Sequence, residues 1–171
     1  PSGASDSVDV AARRVQFDEE FGRFLSEVRR SEAPFFVVMF GGTTYIQDIR
    51  ANRPIRLTRS LLGLGVPVLF NFHRWRDADH IPPYDAKNPL LFQSPTDLTP
   101  ELVRGLLDVD LGATRRLFVV SYPHPSVTRL IPQLNVHGWA TLYDCRDDWQ
   151  EFSKVGAANW YQESVERFVV N

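Results

Sequence analysis

Three aspartates, Asp144, Asp147 and Asp148, lie within the segment LYDCRDDWQEF (residues 142–152), directly after an apolar run. Carboxylates in such a cluster can bind a metal ion, cap a helix or exchange a proton with a substrate. Asp148 and Glu151 have the spacing of a capping box, in which each side chain hydrogen-bonds an amide at the start of a helix. Asp144 ends the apolar run and can hold the next loop by bonding its own backbone. Asp147 has no such structural explanation, so it is the candidate general base.

A histidine with a restricted backbone follows another apolar run. His124 lies between two prolines in the segment SYPHPS, residues 121–126. Proline on both sides limits the backbone and would hold the imidazole in a defined direction. Such an imidazole could act as a general acid or base or bind a sugar, and the alternative is a surface histidine in a rigid turn.

A pair of glycines, Gly41 and Gly42, opens the loop FGGTTYIQDIRANRP, residues 40–54. Glycines at a strand end let the backbone approach a ligand, and exposed amides there can bind an anion. The loop lacks the lysine and the spacing of a P-loop and does not match G-x-G-x-x-G, which argues against a nicotinamide cofactor. The alternative is a tight turn followed by an ordinary loop.

Two further groups of polar residues could bind ligands, but the sequence does not define how their side chains are arranged. Arginines recur at three-residue spacing in the helix after the glycine loop: Arg53, Arg56 and Arg59. They form either a solvated face or a contact with an anionic acceptor or lipid headgroups. The polar segment HRWRDADH has an Asp-x-Asp pattern that resembles the metal motif of some sugar transferases, and its candidate ligands are His73, Asp77, Asp79 and His80. Nothing in the sequence holds that loop in shape, so we assign no metal site.

The composition indicates one globular domain. The chain has 171 residues, of which 43% are hydrophobic and 23% charged, so it can bury a substantial core. A net charge of −2 argues against a nucleic-acid partner. The single cysteine, Cys145, excludes an internal disulfide framework and favours a reducing compartment. The sequence has no apolar stretch near the ~20 residues of a membrane span and no signal-peptide pattern at its start.

Apolar runs alternate with helical patterns along the chain. After a flexible tail over 1–7, helical periodicity predicts a long N-terminal helix over 8–30. Buried strands are predicted at 35–40, 66–72 and 116–122, a short strand at 90–94 and a further strand at 139–144. Helices are predicted at 53–62, from Thr99, at 126–136, at 149–153 and at 157–170. This alternation predicts an α/β fold, a Rossmann-like parallel sheet flanked by helices. Ligands bind at the carboxyl ends of such strands, so loops 41–53, 122–126 and 144–148 should share one functional edge.

The same elements resemble the N-terminal domain of bacterial GT-B glycosyltransferases. DIRANRPIRLTRSLLGLGVPVLFNF (48–72) is similar to the start of that domain, where an arginine–proline helix leads to a G-x-x-V strand. LFVVSYPHP (117–125), ATLYDCRDDWQEF (140–152) and NWYQESVERFVVN (159–171) are similar to its later parts. The resemblance covers roughly residues 35–171.

GT-B enzymes have two Rossmann-like domains, of which the N-terminal one binds the acceptor and the C-terminal one the nucleotide sugar. The resemblance implies that residues 33–171 are the acceptor half of a polysaccharide-biosynthesis enzyme, with the nucleotide sugar held by a C-terminal domain. The chain stops in mid-pattern at ESVERFVVN, which also leads us to expect a longer protein. The implied enzyme needs no cofactor and no metal, takes a glycan or lipid-linked hydroxyl, and works in the cytoplasm with peripheral contact at the inner membrane face. The residues expected to bind the acceptor are Gly41, Gly42, Thr43, Tyr45, Arg53, His124 and Asp144, with Asp147 as the base.

Two alternatives stay open. The chain could be a small α/β hydrolase or transferase that uses His124 with Asp147, although no G-x-S-x-G nucleophile elbow is present. It could also be a non-catalytic binding or interaction domain that docks through its N-terminal helix.

Overall fold

The computed structural model describes residues 3–47, 49, 51–73, 81–96, 99–107 and 109–171. The strands of this part of the chain form one sheet in which every neighbouring pair is parallel. They are β1 (Phe35–Phe40), β2 (Val68–Phe72), β3 (Leu91–Pro95), β4 (Arg115–Val120) and β5 (Ala140–Tyr143). β1 is buried along nearly its whole length, which is why its sequence is a continuous apolar run rather than an alternating one.

The order of the strands across the sheet is β3-β2-β1-β4-β5. Val37 of β1 therefore pairs with Val68 of β2 on one side and with Leu117 of β4 on the other. The chain moves outward from β1 through β2 to β3 and then returns to β4 on the opposite side of β1. This reversal places a topological switch point, where α/β sheets open a crevice, between the carboxyl ends of β1 and β4.

Helices cover the two faces of the sheet unequally. They are α1 (Gly3–Arg30), α2 (Arg53–Gly63), α3 (Thr99–Leu107), α4 (Val127–Val136), α5 (Trp149–Lys154) and α6 (Glu163–Val170). One face, with Phe36 and Phe40 of β1, packs against buried residues of α1, α3, α4, α5 and α6. The other face, with Val37 and Met39, packs against α2 through Ile55. The predicted α/β class, with a parallel sheet and an additional N-terminal helix, is confirmed.

Two predicted boundaries are wrong. α1 begins at Gly3 rather than at residue 8, so the segment predicted as a flexible tail is helical from that residue onward. The helix predicted over 157–170 begins only at Glu163, because residues 155–160 form turns after α5. Gly156 has a φ of +75° there, and Ala158 is buried against the core instead of continuing a helix.

A carboxylate connects α6 to the sheet. The Tyr143 hydroxyl at the end of β5 donates to Glu166 Oε1 at 2.6 Å, and the Tyr161 hydroxyl donates to Oε2 at 2.8 Å. Burial and the Glu166 carboxylate together raise the pKa of Tyr143 above its usual value and raise the pKa of Tyr161 to about 12. Both hydroxyls are therefore donors at neutral pH, and α6 is fixed by charge-assisted hydrogen bonds.

The sheet ends at β5, and one face of this end has little cover. Ala140 and Leu142 of β5 continue the face on which Leu117 of β4 lies, and Leu142 is 46% exposed. Phe35 at the start of β1 belongs to the same face and is 39% exposed. α2 packs nearer to β2, so it leaves this part of the sheet open. None of the described helices combines the length and apolar character needed to cross a bilayer.

Candidate functional site

The three loops predicted to share an edge meet at the switch point. The β1–α2 loop and the β5–α5 loop are joined by Arg146, whose guanidinium donates to the carbonyls of Gly41 and Gly42. The β4–α4 loop reaches the same place through Tyr122, whose ring lies against Gly42. The carboxyl ends of parallel strands lie at one edge of a sheet, so three loops distant in sequence line one crevice.

Two predicted acceptor-binding residues, Arg53 and Asp144, form an ion pair across this edge. Arg53 Nη2 lies 2.7 Å from Asp144 Oδ1, and the Asp144 side chain is only 4% exposed. Ser121 Oγ also donates to Asp144 Oδ2, at 3.4 Å. A buried carboxylate needs such partners because an isolated charge in the protein interior is costly. Asp144 therefore fixes the β5 end and orients Arg53, which remains more than half exposed.

Arg146 is the main residue that the sequence analysis missed. Its Nη1 and Nη2 donate to the Gly41 and Gly42 carbonyls at 3.4 and 3.5 Å, and its guanidinium lies 5.1 Å above the Trp149 ring. Burial lowers its pKa, while the carboxylates of Asp147 and Asp144 act in the opposite direction. A guanidinium stays protonated in proteins, so Arg146 is a fixed cation beneath the crevice. Its place between acidic residues in the letters DCRDD was the signal available in the sequence.

Asp147, the predicted base, has a partner. Its Oδ2 lies 3.1 Å from Arg146 Nε, and its side chain is 35% exposed. The premise that Asp147 has no structural duty is therefore wrong, because the carboxylate also positions Arg146. The exposed fraction leaves it accessible to a ligand.

Gly42 is held against an aromatic ring. Its φ is +57°, and a Cβ built on it would lie 2.2 Å from Tyr122 Cδ1. The Tyr122 ring in turn stacks on Phe40, with centroids 4.9 Å apart, and is almost fully buried. The Gly41 amide donates to the Asn71 carbonyl at 3.0 Å, so it is not open to an anion. The glycine pair thus serves close packing and presents carbonyls to Arg146, and the Gly41 amide is unavailable to an anion.

His124 has a defined tautomer. Its Nδ1 lies 2.9 Å from Ser126 Oγ and accepts the Ser126 amide proton at 3.3 Å. We assign the proton of the neutral ring to Nε2 because Nδ1 accepts from that amide. Burial lowers the pKa of His124, and the nearby imidazole of His73 lowers it further. At neutral pH the ring is therefore uncharged and offers Nε2–H as a hydrogen-bond donor.

Thr43 and Tyr45 have structural contacts that the sequence analysis did not anticipate. Asn52 caps α2, since its side chain accepts from the Ile55 amide, and its Nδ2 donates to the Thr43 hydroxyl. The Tyr45 ring packs edge-on against Phe72, 6.0 Å between centroids, in the core layer on the α2 side. Both residues thus shape the β1–α2 loop, and the structure brings neither to Arg146.

Asp148 is the N-cap residue of α5, as its spacing from Glu151 predicted. Its Oδ1 accepts from the Glu151 amide at 3.0 Å. The Glu151 carboxylate accepts from Lys154 Nζ, one turn later, instead of reaching back to the helix start. Only the aspartate half of the predicted capping box is formed, so Glu151 contributes its amide rather than its side chain to the cap.

Only one of the four residues considered for a metal, His73, falls within the described chain; Asp77, Asp79 and His80 lie outside it. Among the described residues, no group of three or more histidine, cysteine or carboxylate side chains could hold a metal ion. Fold and site together define an α/β, Rossmann-like domain with a charged crevice at its switch point. Searches of the chain against protein-family models, curated protein sequences and solved structures find no match.

Proposed function

We propose that this chain is the acceptor-binding domain of a GT-B glycosyltransferase, which moves a sugar from a nucleotide sugar to a hydroxyl of a glycan or lipid-linked acceptor. One observation carries the proposal: Asp147 is accessible yet held in place by Arg146 at the switch point. A hydroxyl acceptor needs an oriented hydrogen-bond acceptor of this kind. Nε2–H of His124, at the same edge, adds a neutral donor for a sugar oxygen.

The chemistry follows for an enzyme that inverts the anomeric centre. The acceptor hydroxyl gives its proton to the Asp147 carboxylate while its oxygen bonds to the anomeric carbon. The bond from that carbon to the phosphate oxygen breaks, and the nucleoside diphosphate leaves with the electron pair. Cationic groups or helix N-termini of the second domain would stabilise the leaving phosphate. A retaining enzyme needs no such base, and Asp147 would then only orient the acceptor.

The contacts of the arginines on α2 favour internal roles over a membrane role. Arg53 is paired with Asp144, and Arg59 Nη2 donates to the Gln47 carbonyl at 2.9 Å. Peripheral contact at the inner membrane face therefore has no support from these two side chains, while a cytoplasmic location stays part of the proposal. The alternative dyad of His124 with Asp147 is disfavoured, because His124 Nδ1 contacts Ser126 Oγ and Asp147 forms an ion pair with Arg146.

The test is nucleotide-sugar turnover by the protein that contains this domain. Asp147→Asn should lower kcat by ~10²-fold or more, the scale of a lost general base. Asp18→Asn, on an exposed part of α1, is the matched control and should leave kcat unchanged.

If Asp147→Asn turns over the nucleotide sugar as fast as the wild type does, Asp147 has no part in the mechanism. No turnover with any nucleotide sugar, together with saccharide binding at the crevice, would favour the non-catalytic binding domain.

A further inference from the structure

The backbone of the edge strand β5 bonds its neighbour β4 through every second residue. The Asp144 amide donates to the Val120 carbonyl at 2.8 Å in the parallel ladder between the two strands. Because the direction of bonding alternates along a strand, Leu142 also bonds β4, whereas Thr141 and Tyr143 direct their backbone N–H and C=O groups away from it. No backbone hydrogen bond found within the described part of the chain uses these outward groups.

The opposite edge of the sheet is protected by its own sequence. By the same alternation, Leu91 and Pro95 direct their backbone outward from β3. Leu91 donates its N–H to the Asn88 carbonyl at 3.1 Å, and Pro95 has no N–H. Proline and charged side chains commonly prevent the addition of a further strand at an edge, and the β5 sequence ATLY contains neither. β5 is therefore the edge that another strand can join.

An apolar surface lies directly beside this edge. Leu142 is 46% exposed, on the face that α2 leaves open. Leu117 of β4 and Phe35 of β1 continue this surface inward. Thr141 and Tyr143 lie on the other face, which α4 and α6 cover. A strand added to β5 would therefore shield Leu142 from water and leave the covered face unchanged.

We propose that β5 pairs antiparallel with β5 of a second copy of this chain, about a two-fold axis that passes beside Leu142. In this register Thr141 of one copy lies opposite Tyr143 of the other, so the outward groups form about four hydrogen bonds. Leu142 lies opposite Leu142 of the second copy on the open face, in a non-hydrogen-bonded pair that brings the two side chains into contact. This inference is independent of the proposed function.

A second copy fits this edge better than a flexible peptide does. Its β5 is already an ordered strand, so pairing costs less conformational entropy than fixing a disordered segment. It presents the same spacing of outward groups and four uncharged side chains, so the paired strands leave no like charges opposite each other. Strands of four residues make a contact smaller than a standard interface. The dissociation constant should therefore lie between about 1 µM and 1 mM.

Sedimentation velocity of the 171-residue chain across this concentration range measures the association. The sedimentation coefficient should rise from the value of a monomer towards that of a dimer. Leu142→Lys places two ammonium groups opposite each other and should weaken dimerisation by about tenfold or more. The matched control is Leu64→Lys, at a residue that is 79% exposed at the end of α2, and it should dimerise as the wild type does.

A proline tests the contribution of the backbone. Thr141→Pro removes one outward N–H and no bond to β4, a place where edge strands tolerate proline. It should weaken dimerisation as Leu142→Lys does, whereas contact through the apolar face alone would be unaffected. Far-ultraviolet circular dichroism checks that each variant keeps the wild-type fold.

A disulfide tests the register independently of the proline variant. Cys145 is exposed, so the background for this experiment is Cys145→Ser. Leu142→Cys then brings two thiols together in a non-hydrogen-bonded antiparallel pair, whose Cα separation of about 4.5 Å suits a disulfide. On oxidation it should form a covalent dimer faster than Leu64→Cys in the same background, although Leu64 is the more exposed residue.

Three results would overturn the proposal. A chain that stays monomeric up to about 1 mM does not associate through this edge. Dimers that form equally well in Leu142→Lys use another surface. Dimers that are weakened in Leu142→Lys, with no faster cross-linking of Leu142→Cys than of Leu64→Cys, associate through the apolar face without pairing of the strands.

Discussion

The contact between Gly42 and Tyr122 predicts an unusually large cost for adding one methyl group. Gly42→Ala places a Cβ 2.2 Å from Tyr122 Cδ1 and within 2.7 Å of two further ring atoms. The ring cannot easily move, because it is buried and stacked on Phe40. The substitution therefore forces either the ring or the β1–α2 loop to shift.

Two terms set the size of the effect. An L-residue in the left-handed region costs about 1–2 kcal/mol, and this term applies to Gly42 at a φ of +57°. Overpacking a well-filled site adds about 1–3 kcal/mol. Gly112 supplies the matched control, because its φ is +58° and nothing lies within 4 Å of its Cβ position. The free energy of unfolding should thus fall by only the first amount in Gly112→Ala. In Gly42→Ala it should fall by the sum of the two terms, about 2–5 kcal/mol.

Urea unfolding followed by far-ultraviolet circular dichroism measures both variants against the wild type. The m-values should agree, so that the midpoints report the free energy of unfolding. Equal losses in Gly42→Ala and Gly112→Ala would refute the reasoning, since the steric term would then be absent. Gly65→Ala, with a φ of +74° and open space, repeats the control at a second turn.

Two other predictions concern the cap of α5 and the imidazole in the crevice. Asp148→Ala should lower the free energy of unfolding by about 1 kcal/mol, whereas Asp148→Asn, which can still accept from the Glu151 amide, should lose little. Equal melting temperatures for all three proteins would argue against the cap. The pKa of His124 is lower in the folded chain than the usual 6.5, so the unfolded chain binds protons more readily below that pH. Wild-type stability should therefore fall as the pH drops below 6.5, and His124→Asn should weaken this dependence in denaturant titrations at pH 7 and pH 5. An identical slope in the variant would contradict the assignment.

The centre of the sheet was predictable because β1 and β2 are buried on both faces. The run at 35–40 is apolar without interruption, and the run at 68–72 is interrupted only by Asn71, which is itself buried. Such runs separated by helical patterns permit few arrangements other than a parallel sheet. The late start of α6 was not predictable from periodicity. Residues 157–160 have a helical pattern of apolar side chains, but Gly156 turns the backbone and the core accepts Ala158 from a turn.

The sequence predicts which edge of the sheet carries the site, but it does not predict which side chains contact each other there. The topology alone brings the glycine loop, the histidine loop and the aspartate loop together. The pairing of Arg53 with Asp144 and of Arg146 with Asp147 depends on side-chain directions that no local pattern encodes. The sequence analysis searched for carboxylates, imidazoles and glycines. It therefore passed over Arg146, the residue that connects two of the loops.

The open end of the sheet at β5 has a practical consequence for work with the isolated chain. A strand at a sheet edge presents unpaired backbone groups, and exposed side chains such as Leu142 and Phe35 make association with a second copy more favourable. We expect turbidity at high concentration to report association at this edge, so ligand binding by the isolated chain is best measured in dilute solution.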